Sequence, residues 1–274
     1  MPKVRLSAEQ RAASVDLAGP LRVLAGAGTG KTTIIVERYR RLVATGVDPR
    51  SILVMTFTER AAAEMRSRIE DAVGEPPPVV GTFHALALRW LHDDPRGGLR
   101  PGFRILTGAD RWIALRELLW ELGQPAFVGS ERPDDLVQPL LGLLERMKQE
   151  LVSIGQLRSW AARLEDPERR ELFGAAAELF ERHAAWCRRR NVADFDDLLV
   201  RVVRLLEREP AVRAAFRSRY PWVMVDEYQD TNTAQERLVE LLGAPEGNVA
   251  VVGDDDQSIY RFRWASRASM ERFA

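Results

Sequence analysis

LRVLAGAGTGKT, Leu21 to Thr32, joins a short apolar run to a glycine-rich turn, and the chain continues as KTTIIVERYRRLV, Lys31 to Val43, with helical periodicity. A strand that ends in such a turn and reopens as a helix is the setting of a phosphate-binding loop. Gly26, Gly28 and Gly30 let the backbone curl until its amide N–H groups face an anion, and the positive end of the following helix adds to the attraction. Lys31 then reaches the β- and γ-phosphates of ATP, and the Thr32 hydroxyl becomes a Mg²⁺ ligand. The run Ala25, Gly26, Ala27, Gly28, Thr29, Gly30, Lys31, Thr32 departs from the strict pattern only at Ala25, where a glycine usually stands. The alternative is a structural turn; strand, loop and Gly-Lys-Thr together favour the nucleotide.

Lysine usage agrees. Forty basic residues include lysine only at Lys3, Lys31 and Lys148, and all the others are arginine. A chain that nearly always chooses arginine keeps, at position 31, the compact ammonium that a phosphate site uses. The forty acidic residues cancel the basic ones, so nucleic-acid binding requires a local groove, because no overall positive field exists. Cys187 is the only cysteine, and three histidines make no convincing soft-metal cluster. No apolar run approaches the roughly 18 residues of a membrane span, and MPKVRLSAEQRAA has no apolar signal-peptide centre. These features predict no membrane association and a reducing, cytoplasmic setting.

Both ends of the chain alternate apolar runs with helical segments: SILVMTF before TERAAAEMRSRIEDAV, YPWVMVDE before NTAQERLVELLG, then NVAVVGD. That alternation predicts an α/β fold with a parallel sheet. From about Ala109 to Asn191 the pattern is helical throughout. Asp166-Pro167 is a helix start, and Phe173, Ala177, Phe180, Ala184 and Cys187 fall on one apolar face, read here as core. GEPPPVVG, 74 to 81, and HDDPRGGLRPG, 92 to 102, carry loop signals. The architecture expected is an α/β domain built from both ends and interrupted by an all-helical insertion.

YPWVMVDEYQD, Tyr220 to Asp230, delivers two carboxylates to the end of a buried strand. In parallel sheets that end faces the ligand, beside the phosphate loop. Asp226 is the candidate Mg²⁺ holder and Glu227 the candidate general base that orients and deprotonates an attacking water. A solvated acidic turn is the alternative. A small-molecule kinase, which shares the phosphate loop, fits poorly because Glu227 is placed to activate water.

Seven separated stretches, in order, resemble the UvrD/Rep/PcrA-type superfamily 1 DNA helicases: LSAEQRAA, AGAGTGKT, TFTERAAAEMRSRI, GTFHALALRWL, DFDDLL, VDEYQDTN and VVGDDDQSIYRFRWA. The resemblance implies a RecA-like P-loop NTPase sheet with a helical insertion and movement 3′ to 5′ along single-stranded DNA. It implies that Gln10 reads the adenine edge, that Arg38 is a further adenine contact, and that Gln257 senses the γ-phosphate. On the DNA side it implies Phe57, Thr58, Thr82, His84, Tyr260, Phe262 and Arg263. Aromatic faces and arginine in YRFRW suit that role physically, since any base stacks on an aromatic ring and arginine contacts phosphate. Asp254 to Gln257 face the nucleotide in this reading. Trp264 stands where the family commonly has glycine, and DDD replaces a more usual Asp-Ala-Asp.

The boundaries expected are 1–107 and 191–274 for the ATP-binding domain and 108–190 for the insertion, with the family's second RecA-like domain absent. On this expectation the chain alone binds Mg²⁺-ATP weakly and does not unwind DNA. Partners implied are single-stranded DNA, single/double-strand junctions, and a second RecA-like domain in trans or a repair protein. The competing reading is a non-motor, nucleotide-gated single-stranded DNA binding subunit of a helicase-nuclease complex.

Overall fold

Ile52–Thr56 (β2) is buried at every residue, as an interior strand of a parallel sheet must be when both its faces are covered. The computed structural model that shows this describes residues 6–26, 28–123, 127, 133–243 and 247–254. In it, β2 lies among Leu21–Leu24 (β1), Val80–Thr82 (β3), Trp222–Val225 (β6) and Asn248–Gly253 (β7), in the order β1-β7-β6-β2-β3. Every neighbouring pair is parallel. The expected α/β fold with a parallel sheet is what the chain forms.

Register explains how the sheet packs. Leu21, Ala250, Met224, Val54 and Val80 are successive partners across the five strands and therefore share one face. Against that row pack Ile35, Tyr39 and Leu42 of helix α2 (Lys31–Ala44) and Met65 and Ile69 of α3 (Glu59–Val73). The alternate residues Leu53, Val223, Val225 and Val251 are buried as well, so the opposite face is also covered. The edge strand β1 alternates between half-buried and exposed. At the other edge, β3 takes Val80 and Gly81 from the stretch read as a loop; three residues on an edge are too short to show period-2 patterning.

The chain divides into two compact units, Met1–Ala87 with Val203–Ala274, and Leu88–Val202. The first contains the five-stranded sheet, α1 (Ala8–Val15), α2, α3, α10 (Pro210–Arg219) and α11 (Thr233–Gly243). The second is helical apart from two short paired strands, β4 (Arg104–Ile105) and β5 (Val192–Ala193). Its core joins α5 (Gly108–Leu122), α6 (Val137–Gln149), α7 (Ile154–Ala161) and α8 (Pro167–Arg190) through Leu115, Leu140, Leu144, Leu157 and Phe180. Helix α8 begins as its sequence predicts: Asp166 accepts from the backbone of Glu168 and Arg169, and Pro167 occupies the first turn, where its missing N–H costs nothing. Cys187 is buried on the inner face of that helix, and burial pushes its thiol up to about 12, so it stays a neutral core group. Two helices cross the division between the units, α4 (Phe83–Asp93) and α9 (Phe195–Arg208).

Candidate nucleotide site

Because all five strands run the same way, their C-terminal ends share one edge of the sheet, and the candidate residues follow those ends. The loop after β1 begins with the Ala25 N–H donating to the Gly253 carbonyl at 3.0 Å, which ties it to the end of β7. Thr29 Oγ1 donates to the Gly26 carbonyl at 2.6 Å, holding the turn closed. Gly30, the residue before α2, has φ +82°, a left-handed conformation suited to glycine. A β-carbon there would also stand 2.7 Å from Gln10 Nε2. Ala27 lies outside the described residues.

Lys31 opens α2 and is only 8% exposed. Its Nζ lies 3.3 Å from Glu227 Oε2 and 3.9 Å from Asp254 Oδ2. Next to it, Thr32 Oγ1 donates to Asp226 Oδ2 at 3.2 Å. Asp226 directly follows β6 and is anchored by its N–H to the Met55 carbonyl at 3.0 Å. The structure thus gathers Lys31, Thr32, Asp226, Glu227 and Asp254, from three strand ends far apart in sequence.

Burial, reinforced by the negative charge of Glu227, pushes the Asp226 carboxyl up to about 6, and Asp230 is pushed to about 6 by the same two causes. A buried carboxylate with too little compensating charge, beside a hydroxyl that can also bind metal, suits a hard divalent cation. Mg²⁺ characteristically takes one or two protein oxygens and completes its shell with water and phosphate. Among the described residues no group of three or more His, Cys, Asp or Glu is placed to hold a metal ion. Glu227 has φ 53° and ψ 42°, a conformation that disfavours a side chain with a β-carbon.

Gln10 approaches the loop from α1. Its Oε1 accepts the Ser7 N–H at 2.8 Å and Ser7 Oγ accepts the Gln10 N–H at 3.1 Å, a reciprocal helix cap, while Nε2 donates to the Thr29 carbonyl. Arg38 is 2% exposed, and its guanidinium donates to the carbonyls of Ala13, Asp16 and Leu17 at the C-terminal end of α1. It therefore holds the helix that carries Gln10, a placement that spacing within α2 could not show.

The DNA-side candidates sit at the ends of β2 and β3. Phe57 is half-buried and Thr58 is exposed. Thr58 also caps α3, accepting the Ala61 N–H at 3.1 Å. Thr82 Oγ1 donates to Glu59 Oε1 at 2.8 Å and accepts the Ala85 N–H at 3.1 Å, and half-buried His84 follows in the first turn of α4. Gln257, Tyr260, Phe262 and Arg263 lie outside the described residues. One buried residue with no earlier assignment, Gln229, links Glu227 to Asp254.

A parallel sheet with a phosphate loop after its edge strand and two carboxylates after an inner strand defines a P-loop nucleotide-binding α/β protein. The model of the UvrD/REP helicase N-terminal domain matches residues 6–274, and the chain belongs to that family. It is 37% identical over 280 residues to the ATP-dependent DNA helicase UvrD1 of Mycobacterium tuberculosis, covering 98% of this chain and 35% of that protein. The ATP-dependent DNA helicase Rep of Escherichia coli is 35% identical over 267 residues, covering 96% and 38% respectively. The ATP-dependent DNA helicase PcrA of Staphylococcus epidermidis is 33% identical over 264 residues, covering 95% and 34%. The chain spans about a third of the length of these curated relatives. Among the described residues no helix is long and apolar enough to cross a membrane.

Proposed function

We propose that this chain is the N-terminal ATP-binding part of an ATP-dependent 3′ to 5′ DNA helicase or translocase, coupling hydrolysis to movement on single-stranded DNA in repair or replication within the cytoplasm. One observation carries the reading: Lys31 and Thr32 open α2 within reach of Glu227 and Asp226, so phosphate, metal and water-activating groups converge. A bound Mg²⁺ would supply charge neutralisation at the phosphates, and Thr32 and Asp226 would be the residues that hold it. A triphosphate offers Lys31 more negative charge than Glu227 does, and drawing the ammonium away frees the Glu227 carboxylate to accept a proton from water. The exposed part of Glu227 gives water access, since its side chain is 37% exposed. Gln10 retains one of its two amide hydrogens for the adenine, and Arg38 acts by fixing α1. Phe57 and Thr58 follow β2, and Thr82 and His84 lie at the end of β3 and just beyond it, positions that support a DNA track along the same sheet edge as the nucleotide.

ATP hydrolysis is to be measured with and without single-stranded DNA, on this chain and on the protein in its natural length. Single-stranded DNA is expected to stimulate turnover by the natural-length protein. Lys31→Ala should weaken ATP binding, whereas Glu227→Gln should keep it and lower turnover by roughly 10² or more. A natural-length protein indifferent to DNA would refute the helicase assignment.

A further inference from the structure

Gln229 is 3% exposed and lies between two residues of the nucleotide site. Its Nε2 donates to Glu227 Oε2 at 2.8 Å, and its Oε1 accepts the backbone N–H of Asp254 at 2.9 Å. A carboxamide has donors at one end and an acceptor at the other, so these partners fix its orientation; flipped, it would set oxygen against carboxylate and N–H against N–H. Lys31 joins the same two residues from their charged sides, at 3.3 Å from Glu227 and 3.9 Å from Asp254. Lys31, Glu227, Gln229 and Asp254 thus close a ring around the end of β7.

The links of the ring differ in what a triphosphate does to them. Phosphate oxygens compete for the Lys31 ammonium, but they cannot replace a neutral amide that already donates to a carboxylate. Glu227 has a left-handed backbone and a side chain 37% exposed, so neither its conformation nor burial keeps its carboxylate in place. Resting on the nucleotide reading above, we propose that Gln229 is a positioning residue with two effects. It holds the general base when phosphate draws Lys31 away, and it conveys the change at Glu227 to the backbone at Asp254.

The test uses the full chain, uniformly ¹⁵N-labelled, with Mg²⁺ and either ADP or the non-hydrolysable ATP analogue adenylyl imidodiphosphate. In the wild type, the analogue should shift the Asp254 amide resonance and ADP should not. Gln229→Met keeps length and removes both polar ends. It should bind the two nucleotides within roughly threefold of wild type, while its Asp254 amide exchanges with solvent at least roughly tenfold faster and ceases to respond to the γ-phosphate. Gln229→Glu is the second variant should the first not fold. It keeps an acceptor for Asp254 but sets a carboxylate against Glu227, so the amide should stay protected and the nucleotide response should vanish. An Asp254 response preserved in the variants, or identical for ADP and the analogue in the wild type, overturns the proposal. A wild type that binds neither nucleotide overturns the nucleotide reading and this proposal with it, which is a different signature.

Discussion

The Arg38 guanidinium is committed to three carbonyls at the end of a helix that has no glycine or basic residue of its own there. The last carbonyls of a helix lack intrahelical partners, and buried ones must find donors elsewhere. Desolvation lowers the pKa of Arg38 and the charge of Asp16 raises it, the first effect being the larger. Arginine serves here because one planar fork reaches several acceptors, which a lysine ammonium on a flexible stem does not match. Arg38→Met keeps most of the stem and leaves the carbonyls of Ala13, Asp16 and Leu17 without those donors. It is expected to cost about 2 to 4 kcal/mol in urea denaturation. It should also speed hydrogen exchange through Ala8–Val15 and weaken nucleotide binding, because that helix presents Gln10. Unchanged exchange in that helix would show that Arg38 is dispensable there.

At the scale of elements, the start of α9 shows what sequence patterns reveal and what they leave hidden. DFDDLL is legible as a stretch resembling the family, and in the structure it caps the helix reciprocally: Asp194 accepts the Asp197 N–H and Asp197 accepts the Asp194 N–H, at 2.9 and 3.1 Å. Its long-range partners are not legible. Lys148 Nζ lies 2.7 Å from Asp194 and 2.8 Å from Asp197, and Arg111 Nε is 3.3 Å from Asp194. Burial works against the Lys148 charge, but Asp197 and Asp194 outweigh it and hold its pKa above the ordinary value. Asp196 is less well served. Burial and then the Asp194 charge push its carboxyl from 3.8 up to about 6, against a hydrogen bond from Gln149 and the charge of Lys148. A carboxyl raised on folding contributes stability that is fully present below its unfolded pKa and is lost as pH rises through its folded one. Asp196→Asn should therefore match the wild type below about pH 4 and exceed it by about 1 to 2 kcal/mol near pH 8, the gap opening as pH rises above about 4 and levelling off above about 6. Chemical denaturation across that range checks it, and a gap that closes with rising pH would contradict the assignment. The same contrast holds for the sheet: β1, β2, β6 and β7 show themselves as apolar runs, β3 does not, and Gln229 has no local signal because its role depends on where β7 ends.

For the whole molecule, the balance of forty basic and forty acidic residues constrains how DNA is held if the proposed function is correct. Many arginines are already matched within the chain: Arg40 and Arg41 share Glu37, Arg96 pairs with Asp94, Arg158 with Glu181, and Arg237 with Glu207 and Glu240. Exposed pairs of this kind add little stability, yet each cancels a charge that could otherwise meet a phosphate. Binding then rests on a short track and on base stacking, which salt screens weakly. Each neutralised phosphate of a single strand contributes a slope of about −0.7 to the dependence of log affinity on log salt concentration. With about four phosphates engaged, titration of labelled oligothymidylate at several NaCl concentrations should give a slope of about −3 or shallower. A slope steeper than about −5 would require an extended basic groove that this balance of charge does not supply. The residual affinity at high salt should then depend on aromatic residues more than on arginines, because stacking survives where phosphate contacts are screened.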